Sequence, residues 1–343
     1  MYRRAFLKTG ALAGAGLLTS GLAFGKQERK IIEGRRVGMI GLDTSHSIEF
    51  TKILNNVDAA APDFNGYRVV AAYPHGSKDI ESSVSRIPGY TTQMREMGVQ
   101  IVDSIAELLK ITDVILLETN DGRLHLEQAI EVFKARKTLF IDKPVAASLT
   151  DAISIFQAAK DFQVPVFSTS SMRYMTNMDD ILVNKSAGNV LGASTYSPCT
   201  LEQTHPDFYW YGVHGVEMLF TAMGTGCKRV SRVQTPDTDF AIGVWENDRI
   251  GTFRGLRKGR TGFGGEVFGE TGIKSLGNDP GYAPLLKVVT TFFQTGVSPV
   301  KPEETIEIFT FMEAADESKR RNGASVNLEE IRQKAESQVR KSW

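Results

Sequence analysis

Arg36-Val-Gly-Met-Ile-Gly-Leu-Asp-Thr-Ser-His46 is the stretch on which the fold turns. Residues 36–42 are a short apolar run broken at Gly41, so they read as a buried strand. Residues 48–55 follow with helical spacing, Phe50, Ile53 and Leu54 on one side and Ile48, Lys52 and Asn55 on the other. A buried strand that turns through a glycine into a helix is how a nucleotide-binding βα unit begins. The pattern then repeats. Residues 67–73, 113–117, 138–141 and 164–168 read as strands, and 105–110, 124–135 and a stretch from Thr150 to about Lys160 as helices, Thr150 serving as the cap. Strands alternating with helices imply a parallel sheet with right-handed crossovers. Six strands in about 135 residues fit a doubly wound domain; five of them are placed by these runs.

The pattern changes near residue 171. Residues 191–198, 229–235, 239–245, 249–256 and 264–270 are strand-like, with Asn247-Asp248 as a hairpin turn. Helices are expected at 213–223 and 282–295, and a strongly amphipathic one at 302–319. The fold class is therefore α/β: a doubly wound parallel-sheet domain over residues 35–170, then an α+β domain over 171–343 with an open, mostly antiparallel sheet. A length of 343 residues admits two such domains. Lys+Arg and Asp+Glu both number 40, so no basic excess points to nucleic acid. An apolar fraction of 41% with 23% charged residues excludes disordered and disulfide-scaffold classes.

Residues 1–25 read as an address. Arg3-Arg4-Ala-Phe-Leu-Lys8 is a basic start, a weakly apolar run follows to Phe24, and no acid interrupts it. The paired arginines resemble a twin-arginine export signal, which implies a periplasmic protein. Gly10, Gly14, Gly16 and Gly21 make the run a poor membrane helix, so no stable membrane insertion is expected once it is removed. Its loss leaves 37 basic against 40 acidic residues. Residues 26–34 then serve as a linker. Two cysteines, Cys199 and Cys227, make no framework, and their spacing leaves pairing open.

Four stretches in order resemble the Gfo/Idh/MocA oxidoreductases, the group of glucose–fructose oxidoreductase and inositol dehydrogenase. They are Arg36 to Asp43, Asp113-Val-Ile-Leu-Leu-Glu-Thr119 with His125, Phe140-Ile-Asp-Lys-Pro144, and Tyr211-Gly-Val-His214. The Asp-Lys-Pro stretch is similar to the family's Glu-Lys-Pro motif. The resemblance implies NAD or NADP as cofactor, the choice open, and a homo-oligomer. It implies cofactor contacts from Gly41, Leu42, Thr44, Ser45, His46, Thr119, Asp142 and Lys143. The loop departs from G-x-G-x-x-G, with Asp43 at the second glycine and His46 at the third, and a carboxylate beside a pyrophosphate repels. A capping turn is the alternative use of Asp43, Thr44 or Ser45. No acid closes the second strand to hold ribose hydroxyls, while Gly76-Ser77-Lys78 could cradle a 2′-phosphate.

Lys143 follows a strand at the carboxyl edge of the sheet, where open α/β folds bind ligands. Its ammonium could polarise a substrate hydroxyl. His214 could remove the proton, and Glu217 at i+3 could orient or charge the imidazole. The family's aspartate four residues before this histidine is Trp210 here. Tyr209, Trp210 and Tyr211 offer rings for sugar faces, and Arg173-Tyr174 resembles the family's Arg-Tyr pair near substrate. His205, Asp207, His214 and Glu217 match no strong zinc signature, so no metal is expected. The leading expectation is hydride transfer between a sugar or glycoside alcohol and a retained nicotinamide cofactor. The alternatives are redox-assisted glycoside cleavage without net redox, and a non-catalytic periplasmic sugar-binding protein on the same scaffold.

Overall fold

The computed structural model describes residues 34–56, 61–340 and 342–343. The expected export signal and residues 26–33 of the linker lie outside the described residues. Among those described, no helix is long and apolar enough to cross a membrane.

The first half builds strands β1 (Arg36–Ile40), β2 (Arg68–Tyr73), β3 (Gln100–Ile101), β4 (Val114–Leu117), β5 (Thr138–Ile141) and β6 (Val166–Ser168). They pair in the order β3-β2-β1-β4-β5-β6, all parallel. This is the doubly wound order with its switch point between β1 and β4. The helices between them are α1 (Ser45–Asn55), α2 (Glu81–Val84), α3 (Ile87–Glu96), α4 (Ile105–Ile111), α5 (His125–Lys134) and α6 (Leu149–Phe162). Every residue of β4 is buried, because helices cover both faces of the sheet. The fork of Arg36 clamps Asp113 at 2.9 and 2.7 Å and ties the start of β1 to β4. The cap of α6 is Ser148, which accepts from the Asp151 amide; Thr150 lies inside the helix.

The second half holds α7 (Met178–Leu182), β7 (Val190–Pro198), α8 (Val213–Met223), β8 (Cys227–Gln234), β9 (Thr238–Trp245), β10 (Ile250–Leu256), β11 (Gly264–Gly269), β12 (Gly272–Ser275), α9 (Ala283–Thr295), α10 (Pro302–Arg320), β13 (Val326–Asn327) and α11 (Leu328–Glu336). Its sheet runs β12-β11-β7-β10-β9-β8-β13. Only β7 and β10 pair in parallel; the other neighbours are antiparallel. Asn247 and Asp248 turn β9 into β10 with left-handed backbone at φ 59°. Helix α10 buries more than the single stripe its amphipathic pattern predicts, including Thr305, Ile306, Phe309, Thr310, Phe311 and Met312. Cys199 and Cys227 are both buried and unpaired.

The chain does not stay on its second layer. Leu285, Leu286, Val289 and Phe292 of α9 pack with Val37, Met39, Phe140 and Phe167 of the first sheet. The Phe167 and Phe292 rings meet edge-on at 4.7 Å. This return covers the sheet face beside the carboxyl edge of β5, and it carries Tyr282 to that edge.

Candidate active site

A cleft of about 450 Å³ opens over the carboxyl ends of β1, β4 and β5. That is the size of a small-molecule site, roughly 300–1,000 Å³. One end is walled by Thr44, Ser45, Ser82, Arg86 and Asn120, the other by Lys143, Trp210, Tyr211, His214 and Phe263; His46 and Tyr282 stand between.

The first end begins at Gly41. Its φ of +89° and its approach to Thr119, whose backbone an added Cβ would meet at 2.5 Å, restrict the position to glycine. The Gly41 and Leu42 amides donate to the Tyr73 and Pro74 carbonyls at 2.9 and 3.1 Å, and Leu42 is wholly buried. Neither residue therefore faces the cleft. Thr44 caps α1, its hydroxyl accepting from the His46 amide. Asp43 turns away from the loop. Its carboxylate accepts from the Ser77 amide at 3.1 Å and the Asn120 amide at 3.0 Å, which links the ends of β2 and β4. Burial pushes its carboxyl above the ordinary range, and those amides act against the shift. Gly76 makes room for it, since a Cβ there would sit 2.1 Å from Asp43 Oδ2. This removes Gly76-Ser77-Lys78 as a phosphate cradle. Ser77 is buried, its hydroxyl donating to Asp121 at 2.9 Å, and Lys78 is exposed outside the cleft lining. The cation at this end is Arg86, which the sequence reading missed.

At the other end, Lys143 is 8% exposed. Its ammonium makes no hydrogen bond or ion pair among the described residues and lies 5.6 Å from the Tyr211 ring centre. The Lys143–Pro144 peptide is cis. His214 meets the same ring edge-on at 5.1 Å and Phe263 at 5.6 Å. Its Nδ1 is 2.6 Å from Ser170 Oγ, which also accepts from the Met172 amide. Nε2 is the nitrogen left for the cleft. Burial, then Lys143 and His46, hold His214 well below the usual histidine range, so the ring is neutral at neutral pH.

Glu217 does not touch His214. It accepts from the Thr169 hydroxyl, from the Ser170 amide at 2.8 Å and from Arg173 Nε at 3.0 Å. It thus fixes Ser170, which in turn fixes the histidine. Burial raises its carboxyl, and Arg173 opposes the shift. Arg173 is clamped between Glu217 and Glu304, the latter at 2.6 Å, and lies outside the cleft lining with Tyr174. Tyr209 is core: wholly buried, its hydroxyl near the Phe309 carbonyl and Glu313. Of Tyr209, Trp210 and Tyr211 only the last two face the cleft, because a π-helical turn over Phe208–Gly212 rotates Tyr209 inward. The four residues that match no zinc signature do not converge on one point: His214 and Glu217 meet at Ser170, Asp207 bonds Arg232, and His205 lies 3.6 Å from Asp121.

Beneath the cleft, His46 Nδ1 lies 2.6 Å from Asp142 Oδ2. The ring stacks on Phe50 at 5.2 Å and meets Tyr282 edge-on at 4.7 Å. Glu118, at the end of β4, is wholly buried, and neither of its carboxyl oxygens has a hydrogen-bond partner. Burial drives its carboxyl well above the ordinary range, with Asp142 adding to the effect. Burial also raises Asp142, but His46 and Lys143 outweigh it and hold that carboxyl low. Asp142 and Thr119 lie below the cleft rather than in its wall. The sequence signal for Glu118 was available: an acid closing an all-apolar strand at the ligand-binding edge. Ser170, Arg86 and Tyr282 carried none.

Residues 35–170 match the Gfo/Idh/MocA model, described as an oxidoreductase family, NAD-binding Rossmann fold. The N-terminal domain thus resembles the NAD-binding Rossmann domain of that oxidoreductase family. No curated protein matches the chain by sequence. Solved structures share its fold. A probable dehydrogenase from Thermotoga maritima is 18% identical with a TM-score of 0.71, over 86% of this chain and 99% of its own. Scyllo-inositol dehydrogenase from Lactobacillus casei, with NAD(H) and scyllo-inositol bound, is 13% identical with a TM-score of 0.67, over 86% and 99%. Myo-inositol 2-dehydrogenase from Lactobacillus plantarum is 14% identical with a TM-score of 0.69, over 85% and 98%. The donors in this cleft fit the anionic part of such a cofactor. Ser45 is exposed at the N-terminal turn of α1, where amides attract phosphate, and Arg86 and Asn120 stand on the same wall.

Proposed function

We propose that the chain oxidises or reduces a sugar or glycoside alcohol with a tightly held nicotinamide cofactor. Bound NAD(P) would supply the hydride acceptor or donor. Thr44, Ser45, Arg86 and Asn120 would hold its phosphates. Lys143 donates a hydrogen bond to the substrate hydroxyl oxygen and stabilises the charge that gathers there. His214 takes the hydroxyl proton at Nε2, with Ser170 orienting the ring through Nδ1. Trp210 and Tyr211 pack against the apolar face of the sugar.

One observation carries this reading: a buried, unbonded ammonium and a neutral imidazole both stand against the Tyr211 ring in one cleft. The inositol dehydrogenases of the same fold support the polyol class of substrate. Arg3-Arg4 and the leader support export to the periplasm, which holds no ready NAD(P) pool, so the cofactor would be retained and recycled by a second substrate. Exposed Leu191, Tyr196, Ile250, Phe268 and Ile273 on the second sheet support pairing with a second copy.

The test is product analysis on a panel of sugars and glycosides. A keto-sugar, lost in both Lys143→Met and His214→Ala, is the expected result. Release of free sugar and aglycone with no keto product would move the reading to redox-assisted cleavage. Undiminished turnover in both variants would reject the assignment.

A further inference from the structure

Three side chains at the floor of the cleft, His46 in its lining and the other two below, come from three different elements at the carboxyl edge of the sheet. His46 stands in the first turn of α1, Glu118 follows β4, and Asp142 follows β5. One ligand-capable atom from each lies within 4.8 Å of the other two, and all three residues are buried. Atoms bound to one ion at about 2.0–2.2 Å lie roughly 3–4 Å apart, so a shift of about an ångström closes the set.

The neighbourhood leaves buried carboxyl oxygens without partners. Glu118 has no hydrogen-bond partner on either oxygen, and Asp142 Oδ1 has none. Native interiors seldom leave such atoms unpaired. The Lys143 ammonium stands near but forms an ion pair with neither carboxylate. His46 accounts for one Asp142 oxygen and leaves Glu118 alone. Side chains of Phe50 and Tyr282 hold the imidazole in place, as ligand histidines need.

We propose that His46, Glu118 and Asp142 bind a divalent first-row transition ion, Zn²⁺ or Mn²⁺, beneath the cleft. One imidazole and two carboxylates are a donor set for those ions rather than for a thiolate-seeking one. The ion gives the unpartnered oxygens of Glu118 and Asp142 a common partner. The site is independent of the oxidoreductase reading, since it asks nothing of cofactor or substrate.

The experiment uses the full chain, stripped with chelator and titrated with Mn²⁺ and with Zn²⁺ by calorimetry, with no nucleotide or sugar present. One ion per chain is expected, with a rise in unfolding temperature. Glu118→Gln, close to isosteric, should weaken binding by at least the roughly 10- to 100-fold that loss of an outer-shell partner already costs. Asp103→Asn, on the surface, should leave it unchanged. Unaltered affinity in Glu118→Gln, or no binding by the wild-type chain at millimolar ion, overturns the proposal. Should Glu118→Gln fail to fold, pulsed electron paramagnetic resonance of the wild-type Mn²⁺ complex decides. Nitrogen coupling from one imidazole supports the site, and its absence overturns it.

Discussion

Two of the buried charged groups among the described residues are built in opposite ways. In the second domain Arg232 is wholly enclosed, yet it bonds Asp239 at 2.8 Å, Asp207 at 2.6 Å and Asp316. Lys319 adds a second cation to Asp207 and Arg257 one to Asp239, and the Phe208 ring lies 4.1 Å from the guanidinium. Each carboxylate there has a cationic partner. At the carboxyl edge of the parallel sheet, Glu118 has none and Lys143 is unpaired. A closed cluster holds strands and helices together, whereas an open one is left ready for something that is not protein. Perturbed, unsatisfied groups collect where chemistry is done.

The comparison can be broken at several points. The largest effect is expected at the open end. His214→Ala and Lys143→Met should each lower kcat/KM by about 10²- to 10⁴-fold, with urea midpoints close to wild type. A large loss of stability with the loss of rate would make this end structural after all. Next comes the closed cluster. Arg232→Met strands Asp316 and takes one of two cations from each of Asp207 and Asp239, and it should cost about 3–5 kcal/mol in urea unfolding, with turnover per folded molecule unchanged. A cost below about 1 kcal/mol would mean the acids hold protons and need no cation.

Smaller effects sharpen the boundary between the two. Ser170→Ala removes the hydrogen bond that orients His214, together with the one the hydroxyl accepts from the Met172 amide. It should lower kcat roughly 2- to 10-fold with KM unchanged. A matching rise in KM would place Ser170 on the substrate instead. The smallest effect is on pH. His214 is held neutral in the fold by burial, but in the unfolded chain it takes a proton near its ordinary value. Its contribution to stability is therefore complete above about pH 6.5 and falls as pH drops below that. His214→Phe should show a shallower acid slope of unfolding free energy than wild type between pH 7 and 5. The acid limb of kcat/KM should likewise lie well below pH 6.5.

Much of the fold was legible because its strands are short apolar runs closed by turn residues, and β1, β4, β5 and β7 to β11 stand within two residues of where periodicity puts them. What was not legible has local causes. Strand β3 is two residues long, too short for any alternation. Helix α3 opens with Ile87-Pro88-Gly89, which reads as a breaker although proline suits a first turn. The return of α9 to the first sheet is a tertiary choice that an apolar stripe cannot announce. In the site, Lys143, His214, Trp210 and Tyr211 were placed together from motif and spacing. Glu217 was misjudged because i, i+3 spacing puts two side chains on one helix face without saying which neighbour each prefers. Arg173 and Thr169 offered the carboxylate charge and hydrogen bonds, and the imidazole offered neither. Ser77 failed for a similar reason: Asp43 and Asp121 claimed its amide and hydroxyl.

The central claim is that this cleft holds a nicotinamide cofactor although its loop has lost two glycines. The most direct test is to denature the natively purified protein and identify what it releases by absorbance and mass spectrum. One NAD or NADP per chain is the result predicted. An empty protein that also gains no thermal stability from added NAD(H) or NADP(H) would contradict it, and would leave a sugar-binding protein on an oxidoreductase scaffold.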